Sequence, residues 1–118
     1  MQRRDHITLK KILDESNIAI DLLGNTDLDT FMGSELLKRA IGMTVINIGE
    51  LVKNLTDEFR FSHNSIPWKE ISGFRDIAAH KYKTLDMKIV YNTVKYDIVE
   101  LKNNIDSILD KETILWLN

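Results

Sequence analysis

The chain contains no cysteine among its 118 residues. This absence excludes disulfide bonds, thiolate metal sites and cysteine nucleophiles, and it is typical of a reducing compartment. No stretch approaches the ~18 consecutive apolar residues that a membrane-spanning helix needs, and residues 1–6 are not followed by the apolar segment of a signal peptide. We therefore expect a cytoplasmic protein with no membrane contact.

Proline and glycine are also scarce, with one proline and five glycines in the chain. No stretch alternates apolar and polar residues for long enough to predict a half-buried strand. The remaining composition, 43% hydrophobic and 29% charged, is ordinary for a globular domain. We therefore expect one all-α domain over residues 1–118.

The chain carries little net charge, −2 from 16 Lys and Arg against 18 Asp and Glu. It lacks the broad positive field that gives a protein general affinity for phosphate backbones. Any contact with nucleic acid must therefore be local, and a small positive pocket favours brief encounters with a flexible or single-stranded substrate.

Apolar residues recur every three or four positions and predict four principal helices in an antiparallel bundle. The first helix runs from about Asp5 to Leu23, where Gly24 ends it. A short turn follows over residues 26–31. The second helix begins at Ser34, and its apolar stripe continues through residue 59.

The second half of the chain predicts two more helices. Pro67 suits the first position of helix three, which continues to about Lys81, and Trp68 is interpreted as a core residue at its start. The fourth helix runs from about Asp86, a plausible cap, to Leu109.

Helix two is nearly all apolar or small over residues 40–48, more than one core-facing stripe requires. The run from Ile41 to Ile46 indicates two buried sides and hence a dimer interface. The alternative is a helix at the centre of a monomeric core. Glu50 on this helix is interpreted as a partner of nearby Lys53 or Asn54, with support for the site or a dimer contact as the alternative.

The segment from Arg75 to Tyr82 has the richest chemistry in the chain. Asp76 and His80 are one helical turn apart, so the carboxylate can accept a hydrogen bond from the imidazole and orient it. Arg75 projects about 140° away from His80, yet its long guanidinium can curve toward a shared phosphate. Alternatively, these groups pair with each other and with the last helix carbonyls. Spacing alone leaves both interpretations open.

The pattern Arg-x4-His-x-Tyr, with Pro67 and Trp68 before it and Asp86 after it, resembles the signature of the HEPN superfamily. More narrowly, it resembles the HepT-type toxins of the HepT–MntA toxin–antitoxin systems. The helix-two run over residues 46–50 also resembles that family. The similarity extends from about residue 39 to residue 101.

The resemblance implies a homodimeric HEPN-like bundle whose two motifs line a shared cleft and cut RNA, such as tRNA or mRNA, without a metal or other cofactor. Matched residue by residue, His80 is implied as the acid/base that handles the ribose 2′-OH, and Arg75 as the group that binds the scissile phosphate. Asp76 is implied to orient the site. Tyr82 is implied to accept AMP from a cognate minimal nucleotidyltransferase antitoxin, which silences the RNase.

Two other functions stay open at this stage. The chain could be a non-catalytic regulatory subunit of a nucleotidyltransferase, with Arg75 and His80 holding a nucleotide or the partner, or a helical bundle without a ligand. Tyr82 could be a packed aromatic with a solvated hydroxyl. His6 and His63 have no helical partner that would complete a metal pair, so we expect no metal site.

Overall fold

The computed structural model of the protein describes the backbone of residues 1–78 and 86–117 and the side chains of residues 1–73 and 86–113. Within these ranges the chain is helical apart from short connections and contains no strand, which confirms the all-α prediction. The helices are α1 (Arg3–Leu23), α2 (Leu28–Met32), α3 (Glu35–Lys53), α4 (Asp57–Ser62), α5 (Trp68–Ala78), α6 (Met87–Asn92) and α7 (Val99–Leu117), with a π-helical turn (Thr93–Ile98) between α6 and α7.

The bundle is built around α3, which packs against α1 on one side and α5 on the other. The side chain of Arg4 at the start of α1 donates to the carbonyl of Asn54 after α3, so these two helices are antiparallel. The last helical segment also packs against α1, and its contacts come from the π turn and α7. The core between them consists of fully buried aliphatic and aromatic side chains, including Leu9, Ile12, Phe31, Ile41, Ile48, Val52, Val90, Leu101 and Ile105.

Local capping signals set most helix ends. The side chain of Ser34 accepts a hydrogen bond from the N–H of Leu37, as predicted for the start of α3. Asp27 caps α2 in the same way, and the N–H of Thr30 lowers the pKa of its carboxyl below the ordinary value. Gly24 ends α1 with φ +51°, a backbone conformation that residues other than glycine rarely adopt.

The predicted continuation of helix two through residue 59 is wrong, because α3 ends at Lys53 and a separate α4 begins at Asp57. The hydroxyl of Thr56 accepts a hydrogen bond from the N–H of Phe59 and so caps α4. The N–H and hydroxyl of Thr56 in turn donate to the carboxylate of Asp5, at 2.8 and 2.7 Å. A residue on α1 therefore stabilises the break between α3 and α4.

Replacing Asp5 by alanine should lower the free energy of unfolding by about 2–3 kcal/mol, measured by urea denaturation. The Asp5 side chain is only 1% exposed, and its loss leaves the N–H and hydroxyl of Thr56 without their acceptor. Asp14→Ala, an exposed position on the same helix, is the matched control and should change stability by less than about 0.5 kcal/mol. Equal effects of the two substitutions would contradict the role of Asp5.

The last predicted helix begins where expected, with the Asp86 carboxylate accepting from the N–H of Lys88 and Ile89. It extends further than predicted, to Leu117, and contains a π turn. The backbone at the α6 boundary keeps helical dihedral angles, so α6, the π turn and α7 form one continuous helix. The π turn keeps apolar residues that are four positions apart on the core side, where a regular α-helix would rotate them away.

The apolar run on α3 is buried by the chain's own helices. Ile41, Gly42, Thr44 and Val45 are all buried, and within the run Met43 is the exposed position. This is the central-helix alternative from the sequence analysis, so the run no longer argues for a second copy. In the described part of the chain, no helix combines the length and apolar character that crossing a membrane requires.

Candidate active site

The helix α5 holds the first half of the motif. It begins at Trp68, and the N–H of Ile71 donates to the carbonyl of Pro67 at 3.1 Å, so the predicted start at Pro67 is correct to within one residue. The positions of Arg75 and Asp76 lie on this helix, three and two residues before Ala78, its last described residue. Their backbone is therefore placed by the packing of α5.

The start of α5 is fixed by its tryptophan, as the sequence analysis predicted. The indole N–H of Trp68 donates to the carbonyl of His63 at 3.1 Å, and its ring centroid lies 6.0 Å from that of Phe59. Trp68 and Ile71 are both buried. Because this end of α5 lies beside α4, which follows the end of α3, α5 runs antiparallel to α3 along their shared contact.

The segment after the motif is fixed at the opposite end of the bundle. The hydroxyl of Tyr91 on α6 donates to the carbonyl of Thr26 at 2.8 Å, and the Tyr91 ring packs against Phe31 of α2 with centroids 5.4 Å apart. The helix α6 contacts both α2 and α3. Both described flanks of the motif therefore pack on α3.

The chemical groups of the predicted site lie outside the described residues. This holds for all of His80 and Tyr82 and for the side chains of Arg75 and Asp76. The four residues stay predictions for the site.

The other two histidines have protein partners. Nδ1 of His6 lies 3.2 Å from a carboxylate oxygen of Glu112 on α7. Nδ1 of His63 lies 3.1 Å from the carbonyl of Phe59, and its ring stacks on the Phe59 ring at 4.3 Å between centroids. Among the described side chains, those of residues 1–73 and 86–113, no group of three or more His, Asp and Glu residues is arranged to hold a metal ion.

Glu50 is exposed and lines an open cavity of about 320 Å³ between α1 and α3. Asp14, Glu15, Lys11 and Asn47 also line it. Three carboxylates against one lysine disfavour a phosphate group at this position. We therefore do not place a phosphodiester site in this cavity.

A cationic and aromatic cluster on the last helix was not singled out from the sequence. The amino group of Lys95 lies 5.6 Å from the ring centroid of Tyr91 and 5.7 Å from that of Tyr96. The spacing Tyr-x3-Lys-Tyr is the signal that could have indicated it, because these positions are neighbours on a helix.

Comparison with known proteins identifies the family. The model of the family described as "Ribonuclease HepT-like" matches residues 12–108. A protein of Caldanaerobacter subterraneus named "Putative RNase TTE0752" is 38% identical over 104 residues, which cover 88% of this chain and 93% of the relative. "Probable ribonuclease HepT" of Thermococcus cleftensis is 30% identical over 110 residues, covering 90% of this chain and 97% of the relative. No solved structure matches the chain. The family match confirms the resemblance read from the motif: the chain belongs to the HepT-like ribonuclease family.

Proposed function

We propose that the chain is a metal-independent endoribonuclease and the toxin of a toxin–antitoxin pair. The observation that supports this most directly is the family match over residues 12–108, which includes the complete motif from Arg75 to Tyr82. The two relatives described above are named as RNases, and the similarity covers nearly their full length.

The proposed reaction uses the RNA's own nucleophile. His80 accepts the proton of a ribose 2′-OH, whose oxygen attacks the adjacent phosphorus. The bond from phosphorus to the 5′-oxygen breaks, and that oxygen takes up a proton from the imidazolium or from water. The products are a 2′,3′-cyclic phosphate and a 5′-OH. Because the nucleophile is intramolecular, the step requires a proton acceptor and a cation and needs no metal.

Arg75 supplies the cation in this proposal. Its guanidinium stays protonated at any ordinary pH and can bind two phosphate oxygens at once, which offsets the charge that develops on the phosphorane. Asp76 accepts a hydrogen bond from His80 and holds the imidazole in the correct orientation. Both positions lie on α5, whose other end is fixed by Trp68.

The protein acts as a homodimer in this proposal. Two motifs that line one cleft double the local positive charge, which matters for a chain with a net charge of −2. The interface lies on a surface other than the apolar run of α3, because that run is buried within the chain.

The antitoxin acts on Tyr82. A cognate minimal nucleotidyltransferase binds ATP, the phenol oxygen of Tyr82 attacks the α-phosphorus, and pyrophosphate leaves. The tyrosine then carries a negatively charged phosphodiester and a bulky nucleoside. These would occupy the cleft and neutralise Arg75, which stops cleavage.

The experiment is RNA cleavage in excess EDTA by purified protein that mass spectrometry shows to be free of AMP. We expect fragments that end in 2′,3′-cyclic phosphate. Cleavage that appears only after Mg²⁺ is added would contradict metal independence. Intact RNA under both conditions would contradict the RNase and favour a regulatory subunit of a nucleotidyltransferase.

A further inference from the structure

One line of exposed polar side chains follows the helix after the motif. Lys88, Asn92 and Tyr96 recur every four residues and are all exposed, with Tyr96 at 61%. In a regular α-helix this spacing drifts by about 40° at each step. The π turn over residues 93–98 has more residues per turn and reverses the drift. The three side chains therefore share one face of the helix.

Two lysines on this part of the helix form no direct ion pair with any carboxylate that the structure describes, although Asp27 lines the same cavity as Lys95. Lys88 and Lys95 are exposed, and within the described residues neither lies within ion-pair distance of a carboxylate. The carboxylate of Asp86 accepts hydrogen bonds from the backbone N–H groups of Lys88 and Ile89, and it forms no ion pair with the Lys88 amino group. By contrast, Lys102 further along the helix is 2.9 Å from Asp106.

The positive face has a definite end. Asp97 and Glu100 are exposed one and four residues after Tyr96, and their charge repels phosphates from the rest of the helix. Between Lys88 and Tyr96 the helix rises about 12 Å. The amino group of Lys95 lies 5.7 Å from the Tyr96 ring centroid, so a cation and an aromatic face are adjacent at this end.

The same face is close to the motif along the chain. Lys88 is six residues after Tyr82, so their Cα atoms are at most about 22 Å apart. The helices α5 and α6 both pack on α3. The elements on both sides of the motif are therefore held on the same helix as this face.

We infer that Lys88, Asn92, Lys95 and Tyr96, here called the lysine–tyrosine stripe, bind single-stranded RNA beside the scissile bond. The inference rests on the proposed RNase function and adds its substrate-positioning surface. The lysines bind phosphates, a base stacks on the Tyr96 ring, and the Asn92 amide donates to or accepts from a base edge. The RNA is single-stranded because stacking on a tyrosine requires a base whose face is free.

The test measures RNA affinity in a His80→Ala background, where the strand is expected to stay intact. A fluorescein-labelled single-stranded RNA is titrated and followed by fluorescence anisotropy at several salt concentrations. Lys88→Gln and Lys95→Gln should each weaken binding on the order of fivefold, and each should reduce the slope of log affinity against log salt by about 0.7. Tyr96→Leu should weaken binding about tenfold, while Tyr96→Phe, which keeps the stacking face, should stay near the parent value.

Lys111→Gln is the matched control, since it removes the same charge from an exposed position on the same helix. It should leave affinity nearly unchanged, and an effect equal to that of Lys88→Gln would overturn the inference. The stripe variants placed in the active protein should raise KM for RNA more than they lower kcat.

Failure of the inference can be distinguished from failure of the proposed function. If the wild type cleaves RNA and all stripe variants bind and cleave it as well as the wild type does, the inference about the stripe is overturned and the RNase function is retained. Stripe variants that bind RNA normally but lose AMP transfer would show that this face contacts the partner protein, which also overturns the inference. Stripe-dependent RNA binding without any cleavage by the wild type would support the stripe and contradict the RNase.

Discussion

Replacing His80 by alanine is expected to lower the rate of RNA cleavage by about 100- to 10,000-fold, the range that a general acid/base contributes. Without the imidazole, no positioned group accepts the 2′-OH proton. Arg75→Ala should lower the rate by about 100- to 1,000-fold, because the developing phosphorane charge loses its cation. Cleavage in EDTA and growth arrest in cells are the two measurements, and both should fall together.

The control for His80 is His6→Ala, which removes a histidine from the first turn of α1. His6 lies beside Glu112 and takes no part in the proposed reaction, so cleavage should continue at nearly the wild-type rate. Circular dichroism and gel filtration should show the same fold and the same oligomeric state for all variants. A His80→Ala protein with wild-type activity would remove His80 from the mechanism.

Tyr82→Phe is expected to abolish AMP transfer to the protein while cleavage stays within severalfold of wild type. The phenol oxygen is the nucleophile of the transfer, and phenylalanine lacks it. In cells that produce the nucleotidyltransferase, wild-type toxin should be neutralised and the variant should still arrest growth. Mass spectrometry of the purified proteins gives the number of AMP groups on each.

Tyr96→Phe is the matched control for this experiment, because it removes a hydroxyl from an exposed tyrosine on the following helix. That protein should accept AMP as the wild type does. If Tyr82→Phe is modified to the wild-type extent, the acceptor is another residue, and the proposed mechanism of neutralisation needs revision.

The helix ends at Gly24, Ser34 and Asp86 could be predicted because each depends on backbone groups within three or four positions. The break between α3 and α4 could not. Leu55 and Phe59 keep the spacing of the α3 stripe and stay buried, while the carboxylate that stabilises the break comes from a residue 51 positions from Thr56. Periodicity contains no information about such a contact.

The π turn escaped prediction for a related reason. Val90, Val94 and Ile98 are spaced by four and are all buried. A spacing of four is compatible with an α-helix over one step, and only its repetition indicates a wider turn. The same turn aligns Lys88, Asn92 and Tyr96, so their alignment required knowledge of burial, and the spacing Tyr-x3-Lys-Tyr could have indicated only the Lys95 end of the stripe.

The candidate site could be predicted only in part. Spacing places Asp76 and His80 one turn apart but does not distinguish a catalytic pair from an ordinary ion pair. The catalytic interpretation came from the family resemblance. The structure shows how the helix that carries Arg75 and Asp76 is positioned, since the contacts of Trp68 with His63 and Phe59 fix the start of α5. The roles of Arg75, Asp76, His80 and Tyr82 stay predictions.

The packing of the last helix on α1 has a consequence during protein synthesis. The apolar side of α1, which includes Leu9, Ile12 and Ala19, is covered partly by the π turn and α7, which are translated after it. At about 5–20 residues per second, α1 waits roughly 4 to 15 seconds on the ribosome before residues 93 and beyond are made. The His6–Glu112 contact, which spans 106 positions, forms later still. The apolar side of α1 therefore stays partly uncovered in the nascent chain until residues 93 and beyond are made, and its packing on the last helix forms only after α7 has left the exit tunnel.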